Sequence, residues 1–205
     1  MRAQPRTTPR KQPRQRRSQA TVDAILEAAA RILIRHGYDG ANTNRIADAA
    51  GVSVGSLYQY FPNKESLVAA LAAQRAERIE ATLEARMAQV AHAPLAEAVR
   101  EVIRAVFDAH ASEPELQRVL IEQVPRVGGL REVDASELHA HDVVLTALRS
   151  RRADVAPRDL ELAAFVITRS VRALAHGALT RADLVGNARL LDEATALVLG
   201  YLRRR

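Results

Sequence analysis

From Thr21 onward, apolar residues recur three and four positions apart almost without interruption, which is the spacing of one face of an α-helix. The first stripe, Val22, Ile25, Leu26, Ala29, Ile32 and Leu33, stops at His36-Gly37; a basic residue followed by glycine is how helices commonly end. No stretch shows the period-two alternation of β-branched residues that marks a half-buried strand. The prolines beyond residue 20, namely Pro62, Pro94, Pro114, Pro125 and Pro157, fall at breaks between stripes, where a missing N–H does least harm. The pattern predicts an all-α protein of nine helices, over 18–36, 43–50, 54–60, 64–91, 95–111, 115–124, 130–152, 158–177 and 186–203. Short elements lead and long ones follow, so the expected layout is a small unit over 18–66 and a larger helical bundle over 67–205.

Charge changes this picture at one end. Residues 1–17 carry Arg2, Arg6, Arg10, Lys11, Arg14, Arg16 and Arg17 with no acid, while the other 188 residues hold 23 basic and 24 acidic side chains. The net charge of +6 therefore belongs to an arm and not to the fold. Three prolines and no periodic apolar residue leave the arm nothing to bury, and it reads as disordered. Such an arm suits an anionic polymer, or serves as a solubilising leader. The 205 residues include no cysteine, so disulfides, thiolate metal sites and cysteine nucleophiles are excluded. No apolar run approaches the roughly 18 residues of a membrane span, and the arm lacks a signal peptide's apolar core. A cytoplasmic protein with no membrane partner is expected.

Residues 42–61 carry the chemistry. A short helix opens at Asn42 or Thr43 and ends at Gly51; a turn through Val52 follows, and Ser53 caps a second short helix. Ile46, Ala47, Ala50, Val52 and Leu57 are placed to fix the angle between the two, as in a helix-turn-helix. Leu57 and Phe61, four apart, face the core, which leaves Ser53, Val54, Ser56, Tyr58, Gln59 and Tyr60 projecting outward or sideways. Small residues early in a helix let it enter a major groove about 12 Å wide. There Gln59 can read a base edge, Val54 can touch a thymine methyl, and the hydroxyls can hold phosphates.

The runs Gly37-Tyr38-Asp39-Gly40, Ile46-Ala47, Ala50-Gly51-Val52-Ser53, Leu57-Tyr58-Gln59-Tyr60-Phe61 and Asn63-Lys64-Glu65-Ser66-Leu67, taken in order and spacing, resemble the signature of the TetR family of bacterial transcriptional repressors. The resemblance covers about 22–70 and implies a three-helix DNA-binding domain, joined through a fourth helix to a bundle that binds ligand and dimerises. It implies a phosphate contact at Thr43, the cap of the second helix, with Asn44 and Arg45 beside it. Ser56, Tyr58 and Tyr60 match positions that touch phosphate or sugar, and Lys64 matches a lysine at the start of the fourth helix, where free N–H groups add to its charge. Val54, Gly55 and Gln59 match positions that face bases, with Ser53 as the cap. Val54-Gly55 stands where lysine-glycine is common, which removes one backbone contact. The basic arm is a candidate for compensating charge.

The bundle yields a plan without a ligand. Leu190, Leu191, Ala194, Leu197, Val198, Tyr201 and Leu202 make a wide apolar face on the last helix, and Leu162, Phe165, Val166, Arg169, Ala173 and Leu174 add to it from the helix before. The resemblance implies that two such helices per subunit form a four-helix dimer interface; a core within one subunit is the other reading. Mostly aliphatic stripes suit an apolar or amphipathic effector. Phe107, His110, Gln117, Gln123 and His141 are candidate pocket residues. His139 and His141 lie two apart on a helix and point about 200° from each other, so no metal site and no cofactor is expected. With no Walker phosphate loop, HExxH, GxSxG or paired Glu-x-x-His motif, an enzyme is not expected. Two readings remain: a ligand-responsive dimeric repressor on a palindromic operator, and a constitutive DNA-binding or architectural protein without an effector.

Overall fold

A computed structural model describes residues 16–127 and 130–203. The described residues form nine α-helices and one 3-10 turn: α1 Arg16–Gly40, α2 Thr43–Ala50, α3 Val54–Tyr60, α4 Lys64–Gln89, α5 Leu95–Ala111, α6 Pro114–Val127, α7 Leu130–Ser150, α8 Leu160–Leu179 and α9 Ala188–Arg203. Residues 1–15 of the expected arm lie outside the described residues, and Arg16 and Arg17 already belong to α1. The α1 stripe does break at Gly37, whose φ of 65° interrupts the helical backbone before a last turn to Gly40. In contrast, α6 carries on through Pro125 to Val127, because one proline removes only one helical hydrogen bond.

The described chain divides into two compact units. The first holds the described residues of Met1–Arg75 and Glu115–Val133, the second those of Ala76–Pro114 and Asp134–Arg205. The division falls inside α4 and not at 66/67. The reason is the first core: Ile25, Ala29 and Leu33 of α1, Ile46 and Ala47 of α2, and Leu57 and Phe61 at α3 are closed over by Leu67, Val68 and Leu71 of α4 and by Leu116 and Leu120 of α6. Within this unit, the buried Arg75 donates from Nε to Gln117 Oε1 at 2.5 Å.

The second unit builds its core from Ile103, Leu145, Leu148, Ala163, Ala164, Val171, Leu191, Ala194, Val198 and Leu202. Small residues such as Ala163, Ala164 and Ala194 let α5, α8 and α9 approach closely. Arg151 closes the turn that follows α4: its guanidinium donates to the carbonyls of Val90, Ala91 and Ala93 at 2.7–2.8 Å, just past the helix end, where backbone carbonyls need partners from outside the helix. The backbone N–H of Ala156 donates to Leu202 O at 2.8 Å, pinning the last turn of α9. By length and composition, α8 is apolar enough to cross a membrane, with a mean hydropathy of 1.2 over 18 of its 20 residues, although Arg169 and Arg172 interrupt it. The expectation that no such run exists is corrected; Ala163, Ala164, Val171, Ala175, Ala178 and Leu179 of this helix are buried in the protein.

His176 sits in the last turn of α8, where the helix dipole favours a cation. Burial nevertheless pushes its pKa down from 6.5 to about 3, with His110 and Arg172 adding to the shift. The unfolded chain accepts a proton on this ring that the folded chain refuses, so stability is lost as pH falls from 6.5 toward about 3 and is unaffected above that window. Thermal unfolding at pH 7 and pH 4.5 should show His176→Phe losing less stability on acidification than the wild type. Equal losses would show that this ring stays neutral in neither state.

Candidate nucleic-acid interface

Asn42 caps α2, its side chain accepting from Arg45 N at 2.9 Å. Of the two candidates for the cap, Asn42 takes the position and Thr43, where the resemblance places the phosphate contact, is the first helical residue. Gly51 ends α2 in the left-handed region at φ 68°. No neighbour crowds it, so the need for glycine is conformational. Ser53 then caps α3, accepting from Ser56 N at 3.0 Å while the two hydroxyls lie 2.8 Å apart. Glycine thus turns the chain and serine restarts it within three residues.

On α3, Leu57 and Phe61 are buried as the sequence predicts. Tyr60 is a correction: it is only 8% exposed and belongs to the first core, since positions 57, 60 and 61 share one helix face. The spacing of three from Leu57 was the available signal. Val54 is half-buried against the same core, so its side chain offers less to a thymine methyl than expected. Ser53, Gly55, Tyr58 and Gln59 are exposed, and Ser56 is half-buried. Tyr58 is 40% exposed and its hydroxyl lies 3.1 Å from Thr43 Oγ1, so the two helices present one joined pair of hydroxyls. Asn44 and Arg45 are exposed on α2, and Arg45 Nη1 donates to Gly40 O at 3.1 Å.

A second cluster holds the start of α4. Asn63 Oδ1 accepts from Ser66 N at 2.8 Å and the Ser66 hydroxyl donates to Asn63 O at 2.7 Å, a reciprocal cap. Lys64 follows; its Nζ donates to Tyr38 O at 2.6 Å and lies 3.9 Å from the centre of the Tyr38 ring, a cation–π contact. The Tyr38 hydroxyl donates to Glu65 Oε1 at 3.0 Å. Burial first, then Glu65 and Asp39, push the Tyr38 pKa up to about 12, so this phenol is neutral. Sequence reading used Tyr38 only as a marker and missed that it holds Lys64.

The remaining candidates separate. Leu162, Phe165 and Leu197 are 54%, 50% and 55% exposed, and Arg169 is exposed with Val166, Leu190 and Tyr201 half-buried. Leu191, Ala194 and Val198 are corrected: they are buried in the second unit's own core, while Leu197 on the same helix is exposed. Arg169 and Arg172 both pair with Glu137. Of the pocket candidates, Phe107 lines a small cavity with Ala111, Ala175, Leu179, Leu184 and Val185. His110 is buried, with its ring centre 5.1 Å from that of His176. Gln117 and Gln123 belong to the first unit, where Gln117 is bound to Arg75. His141 Nε2 lies 3.2 Å from Glu161 Oε2 and His139 Nε2 lies 2.8 Å from Glu84 Oε1, each histidine on a different carboxylate.

A capped, glycine-turned pair of short helices with a polar outward face defines a helix-turn-helix regulator. Two family descriptions match the chain: bacterial regulatory proteins, tetR family, over residues 25–71, and Tetracyclin repressor-like, C-terminal domain, over residues 94–202. The chain belongs to the TetR family. It is 42% identical over 59 residues to the HTH-type transcriptional repressor AcnR of Corynebacterium efficiens, a match covering 29% of this chain and 31% of that protein. It is 36% identical over 96 residues to the HTH-type transcriptional regulator RutR of Escherichia coli, covering 47% and 44%. These matches span less than half the length of either relative. The fold is that of a TetR-family transcriptional regulator from Mesorhizobium loti, with a TM-score of 0.75, 21% identity and coverage of 92% of this chain and 98% of that one.

No charged side chain lies on α3, so each added cation there should be felt. Val54→Lys, its stem lying along the core edge, should tighten duplex binding at low salt and steepen the salt dependence by about one phosphate contact. Tyr58→Ala should weaken binding about tenfold, the loss of one contact of about 1.4 kcal/mol. Binding isotherms at several salt concentrations read both, and two unchanged slopes and affinities would remove α3 from the interface.

Proposed function

We propose that this protein is a transcriptional repressor, acting in the cytoplasm, that binds a palindromic operator as a homodimer. A small apolar or amphipathic molecule bound by the second unit releases it. The observation that carries the reading is α3: Leu57, Tyr60 and Phe61 fix it on the first core, so that Ser53, Gly55, Tyr58 and Gln59 face outward together. Gln59 supplies base recognition, bidentate on adenine, while Thr43, Ser56, Tyr58, Arg45 and Lys64 hold phosphates, with Asn44 beside them. The basic arm adds sequence-independent charge. Release follows from linkage: the effector binds more tightly to the state that fits the operator poorly. Constitutive DNA binding without an effector is the second reading, favoured by the small size of the Phe107 cavity, about 20 Å3, room for about one water molecule.

The dimer draws support from Leu162, Phe165 and Leu197, three large apolar side chains left at least half exposed on α8 and α9. A symmetric pair of reading helices needs a two-fold interface of this self-complementary kind. Selection of random duplex DNA on the full chain should enrich an inverted repeat with half-sites about one helical turn apart. Binding without enrichment that simply vanishes as salt rises would instead assign the affinity to the arm alone. Phe165→Glu combined with Leu197→Glu should halve the mass seen by sedimentation while helix content persists. An unchanged mass would place the dimer contact elsewhere.

A further inference from the structure

Of the chain's 30 basic side chains only Lys11 and Lys64 are lysine, so an ammonium at position 64 stands out against a background of arginine. The turn at the end of α1 shows what it does there. Gly37, at φ 65° and ψ 179°, takes a conformation that is essentially open to glycine alone, and Tyr38 then begins the last turn to Gly40. The carbonyls of this turn collect cations. Tyr38 O accepts from Lys64 Nζ at 2.6 Å, and Gly40 O accepts from Arg45 Nη1 at 3.1 Å. Tyr38 O also accepts from Ala41 N at 3.3 Å, which fixes its direction. Lys64 comes from the start of α4 and Arg45 from α2, so the two cations assigned above to DNA phosphates meet on one short stretch of backbone.

The Lys64 ammonium has three N–H groups. One is on the Tyr38 carbonyl, the face of the Tyr38 ring, with its centre 3.9 Å from Nζ, takes up a second, and the third is left for an outside acceptor. The ring is itself held, because its hydroxyl donates to Glu65 Oε1 at 3.0 Å. The same bond occupies the Glu65 carboxylate, the acid next to Lys64 in the chain. With its pKa pushed up to about 12 by burial, Glu65 and Asp39, the phenol stays protonated and brings no negative charge of its own to the lysine. A free lysine side chain loses much rotamer freedom when a ligand immobilises it. Here that freedom is already gone before a duplex arrives.

We propose that Tyr38 is the positioning residue of Lys64: its carbonyl and ring set where the ammonium stands, so that the remaining N–H meets a DNA phosphate without further ordering. Tyr38 itself makes no contact with the duplex. The inference rests on the reading above that Lys64 holds a phosphate, and it adds the residue through which Lys64 acts.

Two measurements on the full chain test it. A 13C-lysine label gives two sets of lysine signals, and Lys64→Arg removes one of them, which assigns Lys64. The ring current of Tyr38 should place the Lys64 ε-methylene protons upfield of those of Lys11, and this displacement should survive addition of a random-sequence duplex. It should remain in Tyr38→Phe, which keeps ring and carbonyl, and vanish in Tyr38→Leu. Binding isotherms with the same duplex at low salt then complete a double-mutant cycle. Lys64→Ala should weaken binding about tenfold and lower the salt slope by about one. Tyr38→Leu should weaken it about fivefold in the wild type and not at all in Lys64→Ala, where there is no ammonium left to position. Equal costs of Tyr38→Leu in both backgrounds would reduce Tyr38 to a packing residue and overturn the proposal. Should that variant not fold, the wild-type lysine spectrum decides: no upfield displacement, or one that disappears when the duplex binds, overturns it as well. Each of these failures leaves the phosphate contact of Lys64 standing. Lys64→Ala with affinity and slope unchanged would remove that contact, and the proposal with it.

Discussion

A helix of seven residues does not persist by itself in water. That α3 exists at all is owed to the burial of Leu57, Tyr60 and Phe61 in a core shared with α1, α2, α4 and α6, and everything about the outward face follows from this dependence. The side chains that point in decide which point out, and at what angle, with no freedom left for the backbone between them. Ser53 and Gly51 sharpen the arrangement by capping and turning the chain within three positions. A reading surface built in this way is as rigid as the core beneath it, which is what recognition of base edges demands.

The same face is uncharged. Its hydroxyls and its single amide can distinguish bases and position phosphates, but long-range attraction to a polyanion has to come from elsewhere: from Arg45, from Lys64 and from the seven basic residues before residue 18. In the proposed reading, most of the affinity and most of the discrimination are carried by different residues. Lys64 is held ready by the Tyr38 carbonyl and ring, which places its charge near the helix terminus at little cost in side-chain entropy.

Most of the helices could be read directly from periodicity, because each presents a continuous apolar stripe and ends at glycine, proline or a capping residue. What could not be read was which core a stripe belongs to. The α6 stripe, Leu116 and Leu120, joins the N-terminal core although α5 intervenes, and no local pattern encodes that return. Leu191, Ala194 and Val198 share a helix with Leu197 yet face inward; a stripe wide enough to serve two surfaces looks the same in sequence as one serving a single surface. Tyr60 was misread for a different reason. An amphipathic ring is equally at home on a wet face and in a core, so its type gave no guidance and only its spacing from Leu57 did.

Arg151 binds three carbonyls at the end of α4 from a position about 60 residues further along the chain. The turn that follows α4 is therefore finished by a residue that leaves the ribosome well after it. During synthesis those carbonyls lack this partner until the end of α7 has arrived and docked. The end of α4 and the end of α7 are thereby tied to each other by one guanidinium, although about 60 residues of chain separate them.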